Sequence, residues 1–214
     1  MQYIINEKAN DTIYDQEIYC YHGTPHITEH IGNLSFRITP KAFYQTNPTQ
    51  TEVLYAKALE LAELKKSDVV YDLYTGLGTI AQFVAHGCKK VIGIESVPDA
   101  IIAAKENAKR NGISNTFFEV GDMRNVFTDD FAIRHGKADV IMVDPPREGM
   151  HKDVVNQLLK LKTPKIIYIS CNPQTQARDI ALLYEYYNVT ISQAVDMFPH
   201  TQHIENIVLL ELRK

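Results

Sequence analysis

The chain has 214 residues, of which 45% are hydrophobic and 22% are charged, and its formal net charge is −4 at pH 7. These values predict one ordinary globular domain with a small appendage, and they exclude a protein that grips nucleic acid through a large Lys/Arg excess. No apolar run approaches the roughly 18 residues of a membrane helix, and the N-terminus lacks a basic start before an apolar core, so we expect neither a membrane span nor a signal peptide.

The three cysteines, Cys20, Cys88 and Cys171, are too few and too widely spaced for a disulfide framework, a zinc site or an iron–sulfur cluster. We therefore expect a protein of the reducing cytoplasm without a metal centre. For Cys20 and Cys88 we expect the ordinary role of cysteine as a small buried apolar side chain.

The first 47 residues contain short apolar stretches (QYII, EIYCY and LSFRI) between turn-rich segments, and this pattern predicts a few short strands. A helix is predicted to begin directly afterwards, because Thr49 and Glu52 have the spacing of a capping box and apolar residues then recur at helical intervals. We therefore divide the chain into a β-rich extension, residues 1–47, and a larger domain, residues 48–214.

Strand and helix patterns alternate in the larger domain. Strands are predicted at VVYDL (69–73), VIGIE (91–95), TFFEV (116–120), DVIMVD (139–144) and KIIYIS (165–170). Helices are predicted to end near Gly87, to run from Pro98 to Asn111, from about Val154 to Leu161, and from about Thr175 to Tyr187. The last two strands, VTISQAVD and NIVLLELR, follow each other without a helix. This order predicts a doubly wound, mostly parallel α/β sheet with an antiparallel closing pair, and a ligand at the carboxyl ends of the strands.

Several residues at those strand ends suit a nucleoside. Asp72 lies at the end of the first of these strands, and Gly76 and Gly78 lead into the next helix, whose free N–H groups favour a ligand. Glu95 ends the second strand, where a carboxylate commonly accepts hydrogen bonds from a ribose diol, and Asp122 follows the third. Each residue alone also fits a plain turn or a solvated charge. The set predicts a nucleoside cofactor, and the Gly-x-Gly spacing fits S-adenosylmethionine better than a dinucleotide.

The fourth and fifth strands end in residues with possible chemical roles. Asp144 is followed by two prolines, which hold the chain extended, so its carboxylate can face the cofactor's amino group or an incoming base; a stiffened structural loop is the alternative. Arg147 stands where enzymes that methylate amino groups often have an aromatic residue, which disfavours that subclass. Cys171 is a candidate nucleophile, because the N-terminus of a nearby helix can lower the pKa of a thiol.

The segment HIEN, residues 203–206, precedes the last strand. Its Glu205 completes a nucleophile–base pair if the closing hairpin brings it to Cys171. His200 and His203 lie nearby, but two histidines without further ligands make a poor metal site.

Six segments, in this order, closely resemble the uracil-5 RNA methyltransferase family, which acts on ribosomal and transfer RNA: FYQTNPTQTEVLY, DLYTGLGT, GIE, DPPR, SCNP and FPHTQHIENIVLLE. The resemblance covers roughly residue 36 to the end, and SCNP and the H-x-E segment are its most specific motifs. It implies a Rossmann-like S-adenosylmethionine-dependent methyltransferase domain and RNA as partner. It also implies that the Cys171 thiolate adds to C6 of a uracil swung out of its stack, that C5 takes the methyl group, and that Glu205 removes the C5 proton.

The resemblance also implies cofactor contacts, which motif by motif fall on Gln45, Tyr74, Thr79, Glu95 and Asp144, with Asp122 on the adenine side. Members often have Asn where Thr79 stands. Full-length members usually carry an N-terminal RNA-binding barrel, and some carry a four-cysteine iron–sulfur site. This chain has neither the length nor the cysteines, so we expect a catalytic-domain fragment or a natural short form.

Two other functions fit part of the pattern. A methyltransferase that acts on a nitrogen or on a small molecule needs neither Cys171 nor Glu205. A non-catalytic module that binds S-adenosylmethionine and RNA predicts cofactor binding without methyl transfer.

Overall fold

The computed structural model describes residues 1–10, 13 and 15–213. In chain order the strands are β1 (Gln2–Tyr3), β2 (Tyr19–Cys20), β3 (Ile27–Ile31), β4 (Leu34–Ile38), β5 (Val69–Leu73), β6 (Lys90–Glu95), β7 (Thr116–Val120), β8 (Val140–Val143), β9 (Lys165–Ser170), β10 (Tyr187–Val195) and β11 (Glu205–Leu212). The α-helices are α1 (Pro48–Ala62), α2 (Thr79–Val84), α3 (Pro98–Arg110), α4 (Met123–Val126), α5 (Asp129–His135), α6 (Lys152–Leu161) and α7 (Pro173–Leu183). A 3-10 turn, Ala85–Gly87, extends α2.

Seven strands form one sheet in the order β10-β11-β9-β8-β5-β6-β7. The strands from β5 to β9 run parallel to their neighbours, whereas β11 lies antiparallel between β9 and β10. The predicted doubly wound sheet with an antiparallel closing pair is therefore confirmed. The strand order reverses between β5 and β8, which is where ligands bind in sheets of this kind.

The sheet separates two apolar cores. Val70, Met142 and Ile169 belong to one core, which also contains side chains of α1, α2 and α3. Tyr71 and Tyr168 belong to the other, which contains side chains of α6. The residues alternate between the cores because successive side chains of a strand point to opposite faces. The central strand β8 is apolar throughout because both of its faces are covered.

The hairpin of β3 and β4 packs against the first core. Phe36 is fully buried there. The Arg37 N–H donates to Asn107 Oδ1 at 2.9 Å, and Asn107 Nδ2 donates to the Arg37 carbonyl at 3.2 Å. The hairpin thus shares its core with the main sheet, and the division of the chain at residue 47 stays a prediction.

Helix α1 begins at a different cap from the one predicted. Asn47 is the N-cap, because its Oδ1 accepts a hydrogen bond from the Gln50 N–H at 3.2 Å and Pro48 occupies the first helical position. Asn47 Nδ2 also donates to the Met197 carbonyl at 2.9 Å. Thr49 is exposed and lies inside the helix, so the predicted capping box is wrong.

Glu52, the other residue of that predicted capping box, accepts a hydrogen bond from the backbone of the β3–β4 turn. Two other local predictions also differ from the structure. Helix α7 ends at Leu183 rather than near Tyr187, because Tyr187 begins the edge strand and is buried there. Cys20 is exposed on the short strand β2, whereas Cys88 is buried as expected.

Among the residues that the structure describes, no helix is long and apolar enough to cross a bilayer.

We predict that Asn47→Ala lowers the free energy of unfolding by about 0.5–2 kcal/mol, the usual worth of an N-cap side chain. Thr49→Ala, the matched control two positions away, is expected to change it by less than about 0.5 kcal/mol because Thr49 is exposed. Urea unfolding followed by circular dichroism measures both. A larger loss for Thr49→Ala than for Asn47→Ala would contradict the assigned cap.

Candidate active site

The register of the sheet brings four predicted side chains to one face: Asp72, Asp144, Cys171 and Glu205. Across the strands, Met142 pairs with Asp72 on one side and with Ile167 on the other. Because side chains repeat on a face every two residues, the positions two beyond Met142 and four beyond Ile167 share the face of Asp72. Asp144 and Cys171 therefore lie at the same edge of the same face.

Glu205 lies beside Cys171 because β11 runs antiparallel to β9. Asn206 is the register partner of Ser170, so positions 205 and 171 form the next pair past the end of the ladder. Glu205 is only 5% exposed, and its Oε2 has no hydrogen-bond partner among the described residues. Cys171 is half-buried. The arrangement combines an accessible thiol with a buried carboxylate that has a free oxygen.

Burial and crowding raise the pKa values of the carboxylates at this edge. Burial raises the pKa of Glu205 to about 7, although the positive charge of Arg147 lowers it. The pKa of Asp144 lies well above its ordinary value because of burial and then because of the negative charges of Glu205 and Asp72. Glu205 therefore exchanges its proton near neutral pH, as a general base requires.

The thiol of Cys171 differs from the prediction, because its pKa is raised and not lowered. Burial is the largest cause; the negative charges of Glu205 and Asp144 raise it further, and the positive charge of Arg147 lowers it. Helix α7 does begin just after Cys171, with Asn172 as its N-cap. Desolvation outweighs the helix dipole, whose effect is usually small. The thiol is therefore protonated at neutral pH.

Asp72 organises the turn that joins β5 to α2. It is fully buried, and its Oδ2 accepts hydrogen bonds from the Thr75 hydroxyl and, at 3.1 Å, from the Ala81 N–H. Its Oδ1 has no partner among the described residues. Burial raises the pKa of Asp72 to about 7. A buried polar oxygen without a partner is costly, so Oδ1 is available to a ligand donor.

The same turn contains residues in the left-handed region of backbone conformation. Tyr74, Gly76 and Gly78 have φ of 66°, 54° and 71°. A Cβ on Gly78 would lie 2.8 Å from the ring of Phe118, whereas a Cβ on Gly76 would meet nothing within 4 Å. Gly78 is therefore required by packing, and the space beside Gly76 is open. A residue other than glycine, such as Tyr74, rarely adopts the left-handed conformation, because its Cβ is crowded by the backbone. Residues held in this conformation cluster at functional sites.

Glu95 is held at the end of β6 by this turn. Its Oε2 accepts from the Gly76 N–H at 3.2 Å, and its Oε1 accepts from the Val97 N–H at 2.9 Å. Thr79, at the start of α2, shares a hydrogen bond of 2.9 Å with the hydroxyl of Tyr55. Both predicted cofactor residues are thus fixed in orientation by neighbouring elements.

The remaining predicted cofactor residues line two clefts. Tyr74 and Asp122 line a cleft of about 200 Å³ together with His151. Asp122 caps α4 and pairs with Arg124, whose hydrogen bonds are the main reason that the pKa of Asp122 falls to about 2. Gln45 is buried and lines a separate cleft of about 410 Å³, to which no other predicted site residue of the described chain contributes.

The sequence interpretation missed the residues that hold the DPPREGM loop. Asn172 Nδ2 and Thr175 Oγ1 donate to the carbonyl of Arg147 at 3.1 and 3.0 Å. Asn172 and Thr175 are three positions apart at the start of a helix, so their side chains lie on the same face. This spacing was the feature of the sequence that indicated a shared partner for the two side chains. For His200 and His203, the described residues contain no cluster of three or more side chains that could hold a metal ion.

We predict that Glu205→Gln stabilises the chain at alkaline pH. The folded state holds the Glu205 proton up to about pH 7, above the ordinary pKa of 4.5. The free energy of unfolding therefore falls as pH rises through that window. The variant removes this loss, so we expect a gain on the order of 2–3 kcal/mol at pH 8 and much less at pH 5. Urea unfolding at the two pH values measures it.

Glu211→Gln, on the same strand but more exposed, is the matched control, and we expect its effect to be equal at pH 5 and pH 8. An equal effect of Glu205→Gln at both pH values would contradict the raised pKa.

Comparison with known proteins shows the family. Residues 26–213 match the family model described as tRNA (Uracil-5-)-methyltransferase. The chain is 53% identical over 211 residues to an uncharacterized RNA methyltransferase of Bacteroides thetaiotaomicron, covering 99% of this chain and 46% of the relative. It is also 53% identical over 210 residues to one of Porphyromonas gingivalis, covering 97% and 45%.

A solved structure gives the same result. The crystal structure of the Pyrococcus abyssi tRNA (uracil-54, C5)-methyltransferase in complex with S-adenosyl-L-homocysteine matches with a TM-score of 0.80 and 34% identity, covering 98% of this chain and 50% of that chain. The chain thus spans about half the length of these proteins. It belongs to the tRNA (uracil-5-)-methyltransferase family.

Proposed function

We propose that this chain transfers a methyl group from S-adenosylmethionine to C5 of a uridine in transfer or ribosomal RNA, in the cytoplasm, through a transient covalent bond between Cys171 and C6. The observation that carries the proposal is the register of β9 and β11, which sets Glu205 beside Cys171. Family membership and the likeness to a structure that contains S-adenosyl-L-homocysteine support it. A methyltransferase for a nitrogen or a small molecule needs no such pair.

The turn after β5 fits S-adenosylmethionine. The free Oδ1 of Asp72 suits a donor on the ligand, the open space at Gly76 admits it, and the fixed carboxylate of Glu95 suits the ribose diol. We assign the remaining cofactor contacts to Gln45, Tyr74, Gly78, Thr79, Asp122 and Asp144. When bound, the sulfonium supplies an electrophilic methyl group.

C5 of uracil is a poor nucleophile, and Cys171 and Glu205 would together make it reactive. The thiol of Cys171 loses its proton to solvent water and its sulfur forms a bond to C6, while the electron pair of the C5–C6 π bond moves towards the C4 carbonyl and makes C5 nucleophilic. C5 would then take the methyl group as its bond to sulfur breaks and S-adenosyl-L-homocysteine leaves, and Glu205 accepts the proton from C5. The electron pair of the broken C–H bond restores the C5–C6 double bond and expels the thiolate of Cys171.

The proton balance of the site suits these steps. Since the pKa of Glu205 is about 7, its carboxylate is largely available at slightly alkaline pH and still basic enough to take a proton. A positioned general base typically contributes about 10²–10⁴-fold to a rate. Because the pKa of Cys171 is raised, its thiol must lose a proton before or during the attack, and the positive charge of Arg147 favours that loss.

We predict that RNA containing 5-fluorouridine traps a covalent complex with Cys171. The C5 fluorine leaves no proton for Glu205 to remove, so elimination stops after methyl transfer. The complex is measured as a shifted band on a denaturing gel and as an RNA-bearing Cys171 peptide by mass spectrometry.

Cys171→Ala is expected to abolish the band, and Cys20→Ser, at the exposed cysteine, is expected to keep it. Glu205→Gln is expected to form an adduct with ordinary RNA and to release it slowly. Methyl transfer by Cys171→Ala at the wild-type rate would refute the covalent mechanism.

We predict that Glu95→Ala weakens S-adenosyl-L-homocysteine binding by about 1.5–3 kcal/mol, the worth of hydrogen bonds to a charged group. Isothermal titration calorimetry measures the affinity. Glu106→Ala, at an exposed glutamate of α3, is the matched control and is expected to bind normally. An unchanged affinity in Glu95→Ala would move the ribose away from this carboxylate.

A further inference from the structure

Helix α7 contains a buried carboxylate, Asp179, that the proposed chemistry does not use. It is 1% exposed. Its Oδ2 accepts from the Met150 N–H at 2.7 Å and from the Tyr168 hydroxyl at 2.8 Å. Its Oδ1 accepts from Nε and Nη2 of Arg178 at 2.9 and 2.7 Å. Four donors therefore fix this carboxylate, and one of them is the backbone at the end of the DPPREGM loop.

The same helix holds two other backbone groups of that loop. Thr175 Oγ1 and Asn172 Nδ2 both donate to the carbonyl of Arg147, at 3.0 and 3.1 Å. Arg178 Nη2 donates to the carbonyl of Glu148 at 2.8 Å. The loop is thus fastened to α7 at three of four consecutive residues, 147, 148 and 150.

The remaining residue, Gly149, shows how closely the loop lies on the helix. Its φ is +78°, and a Cβ there would lie 2.6 Å from both Arg178 Nη2 and Asp179 Oδ2. Such a distance is too short for a real contact, so only glycine allows the backbone to approach the carboxylate this closely.

The fastening matters because the loop carries Arg147. Its positive charge lowers the pKa of both Cys171 and Glu205, whereas the negative charges of Glu205 and Asp144 raise the pKa of the thiol. The side chain of Arg147 is exposed, and within the described residues no hydrogen bond or ion pair holds its guanidinium, whereas its carbonyl is held by α7. The position of the backbone therefore sets the region that the guanidinium can reach.

We propose that Asp179 is a positioning residue: with Thr175, it holds residues 147–150 against α7 and so keeps the guanidinium of Arg147 beside Cys171 and Glu205. The inference rests on the proposed roles of Cys171 and Glu205, and it adds a residue that touches neither substrate nor cofactor. It links the SCNP and DPPR motifs, because α7 begins directly after Cys171.

The test is the pH dependence of Cys171 alkylation by iodoacetamide in the whole 214-residue chain, followed by mass spectrometry of the Cys171 peptide. Asp179→Asn keeps the size of the side chain but loses its charge, and Thr175→Val removes one hydrogen bond to Arg147. We expect both variants to shift the profile to higher pH, with a rate at neutral pH about threefold lower, because less thiolate is present. The exposed Cys20 of the same sample is the internal reference.

Asn107→Ala is the stability control, because it loses two part-buried hydrogen bonds to the backbone of Arg37, away from the loop. It is expected to lower the melting temperature and to leave the Cys171 profile unchanged. If Asp179→Asn and Thr175→Val likewise lower the melting temperature without moving the profile, their role is structural only and the proposal is overturned. If Asp179→Asn does not fold, Thr175→Val decides.

The measurement needs neither RNA nor S-adenosylmethionine, so its outcome is separate from that of the proposed function. A shifted profile together with no fluorouridine adduct would reject Cys171 as the nucleophile and keep the positioning role. An adduct together with an unshifted profile would reject only the positioning role.

Discussion

The antiparallel insertion of β11 between β9 and β10 is the constraint on which the site depends. In a parallel sheet the carboxyl ends of the strands share one edge, so a parallel strand would begin at the opposite edge. An antiparallel strand begins at the ligand edge, and its first residue, Glu205, meets the residue after β9, Cys171. Gln176 braces this junction, because its Nε2 donates to the carbonyls of Tyr168 and Asn206 at 2.9 and 3.1 Å.

This geometry has an electrostatic consequence. Asp72, Asp144 and Glu205 share one face of the sheet, and burial raises the pKa of each. Placing carboxylates together away from water destabilises the fold, which is the usual trade between stability and activity at a reacting site. In return, carboxylates such as Asp72 and Glu205 exchange protons near neutral pH, and Arg147 supplies a nearby positive charge.

The DPPREGM loop and the start of α7 are held together by hydrogen bonds. Asn172 follows Cys171, caps α7 and also donates to the carbonyl of Arg147. Further along the helix, Asp179 binds the Met150 N–H. A change in α7 therefore reaches Cys171 and Arg147 together, although the SCNP and DPPR motifs lie more than twenty residues apart in the chain.

The local pattern of apolar residues was sufficient to predict the strands that form the main sheet. The predicted bounds of β5, β7 and β9 agree with the structure. For β5 and β9 the reason is that strands buried on both faces are mostly apolar runs. The residues proposed for the site could be found for a related reason, since polar side chains directly after such runs lie at one edge. The short helices α4 and α5 were missed, because their apolar residues are too few to show a helical period.

Contacts between distant parts of the chain decided the rest. Asn47 caps α1 while it also binds Met197, and Asp179 is anchored by Tyr168 and Met150. The sequence by itself determined the order of strands and helices and the residue types at the strand ends, because these follow from local periodicity. Only the tertiary structure decided that the thiol of Cys171 has a raised pKa and that Glu205 lies beside it, because burial and the field of neighbouring charges depend on which strands pair.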